Sequence, residues 1–345
     1  MKFWKQGLAL ALSMTMALGL MAGCGGGSQS TDQASSASPE QAAGANEATD
    51  ANGESFDIGI MQIVDHQALN AARDGFKDRM AELGLNVTYD EKNAQNDKSN
   101  LQTIAQSFVS GQMDLILAIA TDSAVSAANV TADIPIVGTA ITDYEKAKLV
   151  DSNQAPGANL TGTSDLNPIK DQMDLLQRLV PHAQTVGFVY SSSEPNSAVQ
   201  IELAKQELDS RGLKYEEMTI ASVNDIQQAA QSLVGKVDVF YVPTDNTIAS
   251  AIPNMISVTE SAGLVMIGAE PGMVLEGCTA TIGISYYKLG QQAADMAKRI
   301  LVDGEDPATM PIEFANNFDF YYNEENVAAL GLEIPEDLLA QAVKD

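Results

Sequence analysis

The sequence predicts an α/β protein built from two Rossmann-like lobes, each with a parallel sheet, joined by a hinge. The main observation is an internal repeat: an acid, an apolar run and a Thr-Asp pair occur at residues 114–122 and again, one residue shorter, at 238–245. Each copy ends a stretch in which strand and helix patterns alternate, which favours a parallel sheet covered on both faces. The 345 residues and 45% apolar content suffice for two domains with cores.

Residues 1–23 are predicted to be a secretory signal peptide. A short positive region precedes an apolar run at 7–21, which is too short for a stable membrane span, and small residues follow. The residues from Leu20 to Cys24 resemble the bacterial lipobox, in which the chain is cut before the cysteine and that cysteine carries lipid. Cys24 is therefore the candidate lipidation site, and the protein is expected on the outer face of the cell membrane. The alternative is an ordinary signal peptide with an incidental cysteine.

Residues 24–55 are predicted to be a flexible tether that begins with the lipidated cysteine. From Gly25 to Ser55 the chain contains no aromatic residue and no Val, Leu, Ile or Met. Such a segment cannot bury a core. Random-coil scaling gives it a reach of roughly 30 Å, which would let a folded body meet a membrane partner.

The first lobe begins near Phe56 with a regular alternation of strand and helix patterns. Strands are predicted at 56–62, 87–89, 115–120 and 134–137, and helices at 68–83, 99–110 and 124–130. The extended polar segment 159–165 is predicted to be the first hinge between lobes.

The second lobe repeats the same alternation. Helices are predicted at 171–179, 197–211, 224–233 and 248–261, and strands at 185–190, 215–219, 237–242 and 264–268. Residues 279–285 are expected to cross back to a first-lobe helix at 286–301. A third crossing and a C-terminal helix starting at Pro335 are expected after Phe314. The predicted lobes are therefore 56–162 with 284–317, and 163–283 with 318–345.

The composition excludes several functional classes. With 19 Lys and Arg against 46 Asp and Glu, the formal charge of −27 repels nucleic acid and anionic membrane surfaces. Cys24 and Cys278 form no CxxC pair, so neither a disulfide framework nor a zinc site is indicated. His66 and His182 are the only histidines, which excludes a histidine-rich metal site. No metal and no cofactor are expected.

The candidate binding residues lie where predicted strands end or at the first hinge, because ligands of open α/β sheets bind outside the carboxyl ends of the strands. They are Gln62, His66, Thr121, Asp122, Ser123, Thr142, Asp143, Asp165, Glu194, Asn196, Thr244, Asp245 and Asn246.

These residue types fit the two charged groups of an amino acid. A helix beginning at Ser123 or Ala124 would offer free backbone N–H groups to a carboxylate, with hydroxyls from Thr121, Ser123 and Thr142. Asp165, Glu194 and Asp245 could face an ammonium group. The alternative for each Thr, Ser or Asp before a helix is that it only caps that helix.

An enzyme is not expected. The sequence contains no GxxxxGK[ST], no GxGxxG that opens a helix, no HExxH and no GxSxG. A Ser-His-Asp arrangement would have to use one of two loop histidines.

Seven motifs together resemble the ABC-transporter substrate-binding lipoproteins of the tryptophan/tyrosine-binding type. They are IGIMQIVDHQAL at 58–69, NAQND at 93–97, DLILAIAT at 114–121, IPIV at 134–137, NLTG at 159–162, SEPNS at 193–197 and VPTDN at 242–246. The sequence departs from the family pattern at His66-Gln67, where His-Pro is expected, and at 142–144, where Asp-Pro is common.

The resemblance implies a type I periplasmic-binding fold, capture of a small solute between the lobes and delivery to an ABC permease in the membrane. In the family's better-known members the solute is an aromatic amino acid. One alternative is a sensory receptor that uses the same cleft without transport. Another is an extracellular enzyme or a purely structural surface protein.

Overall fold

A computed structural model describes residues 55–343, which form two sheets with helices on both faces. The predicted signal peptide, Cys24 and all of the tether but Ser55 lie outside the described residues. In the described part no helix is long and apolar enough to cross a membrane.

The first sheet has six described strands, all parallel. In spatial order they are β11 (Glu313–Phe314), β5 (Leu160–Ser164), β4 (Ile136–Ile141), β3 (Leu115–Ile119), β1 (Ser55–Gln62) and β2 (Asn86–Asn93).

The second sheet also has six described strands, and only its edge strand β12 is antiparallel to its neighbour. In spatial order they are β12 (Asp319–Tyr322), β10 (Ala280–Gly283), β9 (Val265–Gly268), β8 (Val239–Val242), β6 (Thr185–Ser191) and β7 (Lys214–Ile220). The predicted fold class, two Rossmann-like α/β lobes, is confirmed.

The helices follow the strands in the order that the sequence predicts, with four differences described below. They are α1 (Gln67–Glu82), α2 (Lys98–Ser110), α3 (Thr121–Ala128), α4 (Ile169–Leu179), α5 (Pro195–Ser210), α6 (Ile226–Leu233), α7 (Asn246–Ala249), α8 (Pro253–Ala262), α9 (Pro271–Leu275), α10 (Tyr286–Leu301), α11 (Glu324–Ala329) and α12 (Glu336–Leu339).

Apolar residues at helical spacing explain how α1 and α10 pack. Phe76 and Met80 of α1 are fully buried in the first core. The axes of α1 and α10 come close because glycine, which has no Cβ, stands at the contact on both helices. A Cβ on Gly75 would overlap the backbone of Tyr287, and one on Gly290 would overlap the backbone of Ala72. The pair covers one face of the first sheet.

Three segments connect the two sheets. The chain passes from β5 to α4, from β10 to α10 and from β11 to β12. Residues 160–164 of the predicted first hinge form β5 inside the first sheet, so the connection follows at 165–168. The carboxyl ends of both parallel sheets point toward the space between them.

Two helix predictions were wrong in their bounds, and two described helices, α9 and α11, were not predicted. Helix α3 begins at Thr121 and not near Ser123, after Ala120 in a left-handed conformation with φ 78°. The predicted helix 248–261 is broken into α7 and α8 because Pro253 lacks the N–H that a continuous helix needs. Helix α9 was not predicted, although Glu270-Pro271 is a cap followed by proline at the first helical position.

Candidate functional site

A cavity lies between the ends of the two sheets. It is lined by His66, Leu69, Ala140, Thr142, Asp165, Asn196, Thr244, Asp245, Asn246, Ala249, Glu270, Met273 and Tyr286. Its free volume is about 10 Å³, enough for roughly one water molecule. A solute the size of an amino acid therefore enters only when the lobes or their side chains move apart.

Asp165 is held at the base of the cavity by hydroxyl groups. Its Oδ1 accepts a hydrogen bond from Thr142 Oγ1 at 3.0 Å, and its Oδ2 accepts one from the Tyr286 hydroxyl at 2.8 Å. Its side chain is 3% exposed, and burial raises the pKa of Asp165 above its ordinary value. The second lobe reaches this group through Gln200, whose Nε2 lies 3.2 Å from Thr142 Oγ1.

Glu270 is a second buried carboxylate on the cavity wall. It caps α9 by accepting the backbone N–H groups of Gly272 at 2.5 Å and Met273 at 3.0 Å. Burial is the main cause that raises the pKa of Glu270 to about 7, and the charge of Asp165 adds to it. The predicted site residues do not include Glu270, but the Glu-Pro pair after a strand was a usable signal.

Asp245 and Glu194 have their carboxylate oxygens occupied by donors of the second lobe. Asp245 accepts from the backbone N–H groups of Ser191 at 2.6 Å and Ile248 at 2.9 Å, and from Ser197 Oγ at 2.8 Å. Burial, and then the charge of Glu194, raise the pKa of Asp245 well above its ordinary value.

Glu194 binds the first turn of α7. It accepts the backbone N–H and side-chain groups of both Asn246 and Thr247 at 2.7–2.9 Å, and Asn196 Nδ2 at 3.1 Å. Asp245 lines the cavity and Glu194 does not. Asp245 is the N-cap of α7, which is the alternative considered from the sequence for an Asp before a helix, and Glu194 binds the start of the same helix.

Thr121 and Ser123 lie in the first turn of α3, outside the cavity lining. Their hydroxyl oxygens are buried and have no hydrogen-bond partner among residues 55–343. Between them, Asp122 pairs with Lys98 at 2.8 Å. Burial raises the pKa of Asp122, while Lys98 opposes that shift.

Two further predicted residues, Gln62 and Asp143, do not line the cavity. Gln62 Nε2 donates to Val64 O at 2.8 Å and to Asn70 Oδ1 at 2.8 Å. Asp143 accepts the backbone N–H of Lys146 at 2.9 Å.

The remaining predicted residues, His66, Asn196, Thr244 and Asn246, line the cavity. Besides the contact of Gln200 with Thr142, four hydrogen bonds join the two lobes. They are His66 Nε2 to Asn246 Oδ1 at 3.2 Å, Asn96 Nδ2 to Thr247 Oγ1 at 3.2 Å, Lys98 Nζ to Ser193 O at 2.7 Å, and Gln67 Nε2 to Glu276 Oε1 at 3.2 Å.

Sequence reasoning missed the apolar wall of the cavity. Leu69, Ala140, Ala249, Met273 and Tyr286 face it. Leu69 lies on the buried stripe of α1 and Tyr286 on the buried face of α10, so neither stood out from core residues.

The charge of the cavity lining is one-sided. It contains three carboxylates and one imidazole, and it contains no Lys or Arg. Within the part of the chain that the structure describes, no cluster of three His, Cys, Asp or Glu side chains is placed to hold a metal. Three carboxylates without a Lys or Arg beside them suit a solute that carries a positive group.

Comparison with known proteins identifies the class. Residues 57–345 match the family of ABC transporter substrate binding proteins. The tyrosine-binding protein of Clostridioides difficile strain R20291 is 37% identical over 333 residues, which cover 95% of this chain and 93% of that protein.

Two solved structures are similar over the folded body. A Streptococcus pneumoniae ABC domain in complex with L-Trp is 34% identical with a TM-score of 0.81, and a ligand-free, open substrate-binding protein from Clostridium difficile is 41% identical with a TM-score of 0.66. Each comparison covers 84% of this chain and 99% of the other.

The chain belongs to the family of ABC transporter substrate-binding proteins. Its architecture is the type I periplasmic-binding fold, which its structural neighbours share. The family consists of solute-binding proteins that work outside the cytoplasm, not of enzymes.

Proposed function

We propose that this protein captures an aromatic α-amino acid between its two lobes and delivers it to the membrane permease of an ABC importer. The observation that carries the proposal is the buried Asp165 carboxylate, which lines a cavity without a Lys or Arg side chain. A buried carboxylate is costly unless a cation or hydrogen-bond donors compensate it. Thr142 and Tyr286 each donate one hydrogen bond to Asp165, but no Lys or Arg lines the cavity, and the ammonium group of an amino acid supplies the cation.

Glu270 supports the same placement of the ammonium group. It lines the same cavity, and the charge of Asp165 contributes to the raised pKa of Glu270. Two neighbouring carboxylates repel each other, and one ammonium group relieves that repulsion. Asp245 is less suited because three protein donors already occupy its oxygens.

We place the carboxylate of the ligand at the start of α3, which lies outside the lining of the narrow cavity but at the same edge of the first sheet. Thr121 and Ser123 offer buried hydroxyls without a partner in the described residues, next to the free N–H groups of the first helical turn. Strand β3, which leads to them, is the neighbour of β4, which ends beside Thr142. The two charged ends of an amino acid would then both meet the carboxyl edge of the first sheet.

The apolar wall and the relatives favour an aromatic side chain. Leu69, Ala140, Ala249 and Met273 form an apolar surface that suits a flat ring once the lobes or side chains have moved apart. One relative is named for tyrosine, and another was solved with L-Trp.

The lobe arrangement supports capture by closure. The TM-score of this chain is 0.81 against the L-Trp complex and only 0.66 against the open structure, although the open structure has the higher sequence identity. The narrow cavity and the contacts that join the lobes agree with a closed arrangement. Opening about the three connecting segments would admit the solute.

The anchor is the last part of the proposal. A lipid on Cys24 and the tether after it would hold the folded body near a permease, on the outer face of the membrane.

Calorimetry against the twenty amino acids tests the proposed ligand. Tyrosine and tryptophan should bind most tightly, and Asp165→Asn should weaken their binding by about 2–5 kcal/mol because the ammonium group loses its charged partner. Asp171→Asn, an exposed change on α4, is the matched control. Absence of binding by all twenty, or equal affinity in the wild type and Asp165→Asn, would contradict the proposal.

A further inference from the structure

The imidazole of His66 is fixed in one tautomer by its neighbours. Its Nε2 lies 3.2 Å from Asn246 Oδ1. The Asn246 amide is oriented by Glu194, because Asn246 Nδ2 donates to Glu194 Oε2 at 2.8 Å and its oxygen must face the ring. Nε2 therefore carries the hydrogen, and Nδ1 presents a bare lone pair.

That lone pair is buried at the cavity. His66 lines the cavity, and its Nδ1 atom is inaccessible to solvent and has no hydrogen-bond partner in residues 55–343. Burial is the largest effect on His66 and lowers its pKa, so the ring is neutral at neutral pH. A buried acceptor without a donor costs free energy, and a ligand that supplies the donor removes that cost.

Two groups of an aromatic amino acid can donate: the ammonium group and, in tyrosine or tryptophan, the ring O–H or N–H. The ammonium group is better placed at Asp165 and Glu270, because a carboxylate is a far stronger partner for a cation than a neutral imidazole. The donor left for His66 Nδ1 is the one on the ring.

We infer that His66 is a specificity-determining residue which accepts a hydrogen bond from the ring O–H or N–H of the ligand. The inference rests on the proposed function and deepens it. It assigns the site to aromatic amino acids with a polar hydrogen on the ring. Phenylalanine leaves Nδ1 unpaired in the closed cavity, and a site built to bond an O–H or N–H discriminates strongly against the analogue that lacks it.

The test compares tyrosine, tryptophan and phenylalanine by calorimetry on four proteins. The wild type should bind phenylalanine at least about tenfold more weakly than either other ligand. His66→Gln keeps an N–H donor near Nε2 for Asn246 but has no acceptor at the Nδ1 position. It should reduce the discrimination to less than about threefold, through weaker binding of tyrosine and tryptophan.

Two further variants separate specificity from folding. His66→Asn places an amide oxygen near the Nδ1 position, loses the bond to Asn246 and should keep most of the discrimination. His182→Gln changes the exposed second histidine and should match the wild type. Thermal unfolding without ligand checks that all four proteins fold.

The outcomes distinguish the inference from the proposed function. If all three ligands bind the wild type within about threefold of one another, or if His66→Gln keeps the full discrimination, the inference is overturned and the proposed function stands. If no aromatic amino acid binds the wild type, both are overturned.

Discussion

Glu270 links the binding cavity to the stability of the fold. Its carboxylate is 2% exposed and has a pKa of about 7, against an ordinary value of 4.5. The folded protein therefore holds this proton more tightly than the unfolded chain. The resulting stability is complete below pH 4.5 and is lost as the pH rises through 7.

We therefore expect Glu270→Gln to flatten the pH dependence of unfolding between pH 5 and 8. In the ligand-free wild type, ionisation of Glu270 as the pH rises should lower the free energy of unfolding by on the order of 3 kcal/mol. Urea unfolding at pH 5 and at pH 8 measures the effect, with the exposed Glu260→Gln variant as control. Identical slopes in wild type and Glu270→Gln would contradict the assigned shift.

The sequence indicated which residues follow the strands but not what each side chain contacts. Thr142 and Asp165 line the cavity, whereas Glu194, identified by the same reasoning, caps α7. The difference depends on Asn246 and Thr247, whose backbone N–H groups point at Glu194 only after the chain has folded. An acid at a strand end is thus compatible with either role.

Lys98 is the clearest example of a side chain that joins elements of both lobes. From α2 it donates to Ser193 O at 2.7 Å in the second lobe and pairs with Asp122 at 2.8 Å in the first. Because its side chain is 48% exposed, the contact contributes only about 0.2–1 kcal/mol to the closed arrangement.

Lys98→Met should therefore weaken ligand binding by no more than about fivefold, through a smaller closed population and not through a lost ligand contact. The exposed Lys214→Met variant is the control. Calorimetric Kd values measure the change. A Lys98→Met protein that binds as tightly as Lys214→Met would exclude a role for this contact in closure.

The contact between α1 and α10 should be sensitive to a single methyl group. A Cβ on Gly290 would overlap the backbone of Ala72, so Gly290→Ala must push the helices apart. We expect a loss of about 1–3 kcal/mol in the free energy of unfolding, despite the better helix propensity of alanine. Urea unfolding measures it; unchanged or increased stability would show that the helices separate without cost.

Helices and strands were more predictable than their ends. The pattern of α10 predicted Tyr286–Leu301, the bounds that the structure shows. Helix α3 begins three residues before the predicted start because Ala120 adopts φ 78°, a conformation that no residue type at this position signals. The repeated acids Asp114 and Asp238 both bind the backbone near the start of the first strand of their half: Asp114 accepts the N–H of Asp57, and Asp238 accepts the N–H groups of Gln184 and Thr185.

At the scale of the whole molecule, ligand binding should change the distribution of lobe arrangements. Small-angle scattering should give a smaller radius of gyration with saturating tyrosine or tryptophan than without, because closure about the connecting segments brings the lobes together. A nonbinding amino acid from the calorimetric series is the control. An unchanged radius under saturation would indicate a rigid site.

The predicted lipid on Cys24 should determine whether the whole molecule stays at the membrane. Cys24→Ser should move the protein from the membrane to the soluble fraction or the medium, because the serine cannot carry the lipid. Ser35→Ala, a change in the tether, should leave it at the membrane. Fractionation and immunoblotting measure the distribution. A Cys24→Ser protein that stays with the membrane would refute the anchor.

The three crossings between the sheets set an order on folding. The first sheet receives its edge strand from 313–314, and α10 reaches α1 only after the chain has run through most of the second lobe. The face of α1 that contains Gly75 thus stays uncovered until the chain is available to about residue 300. The first lobe cannot mature as an independent unit while the chain emerges from its N-terminus. For a chain exported unfolded by the predicted signal peptide, this order would delay completion of the first lobe until translocation is nearly finished.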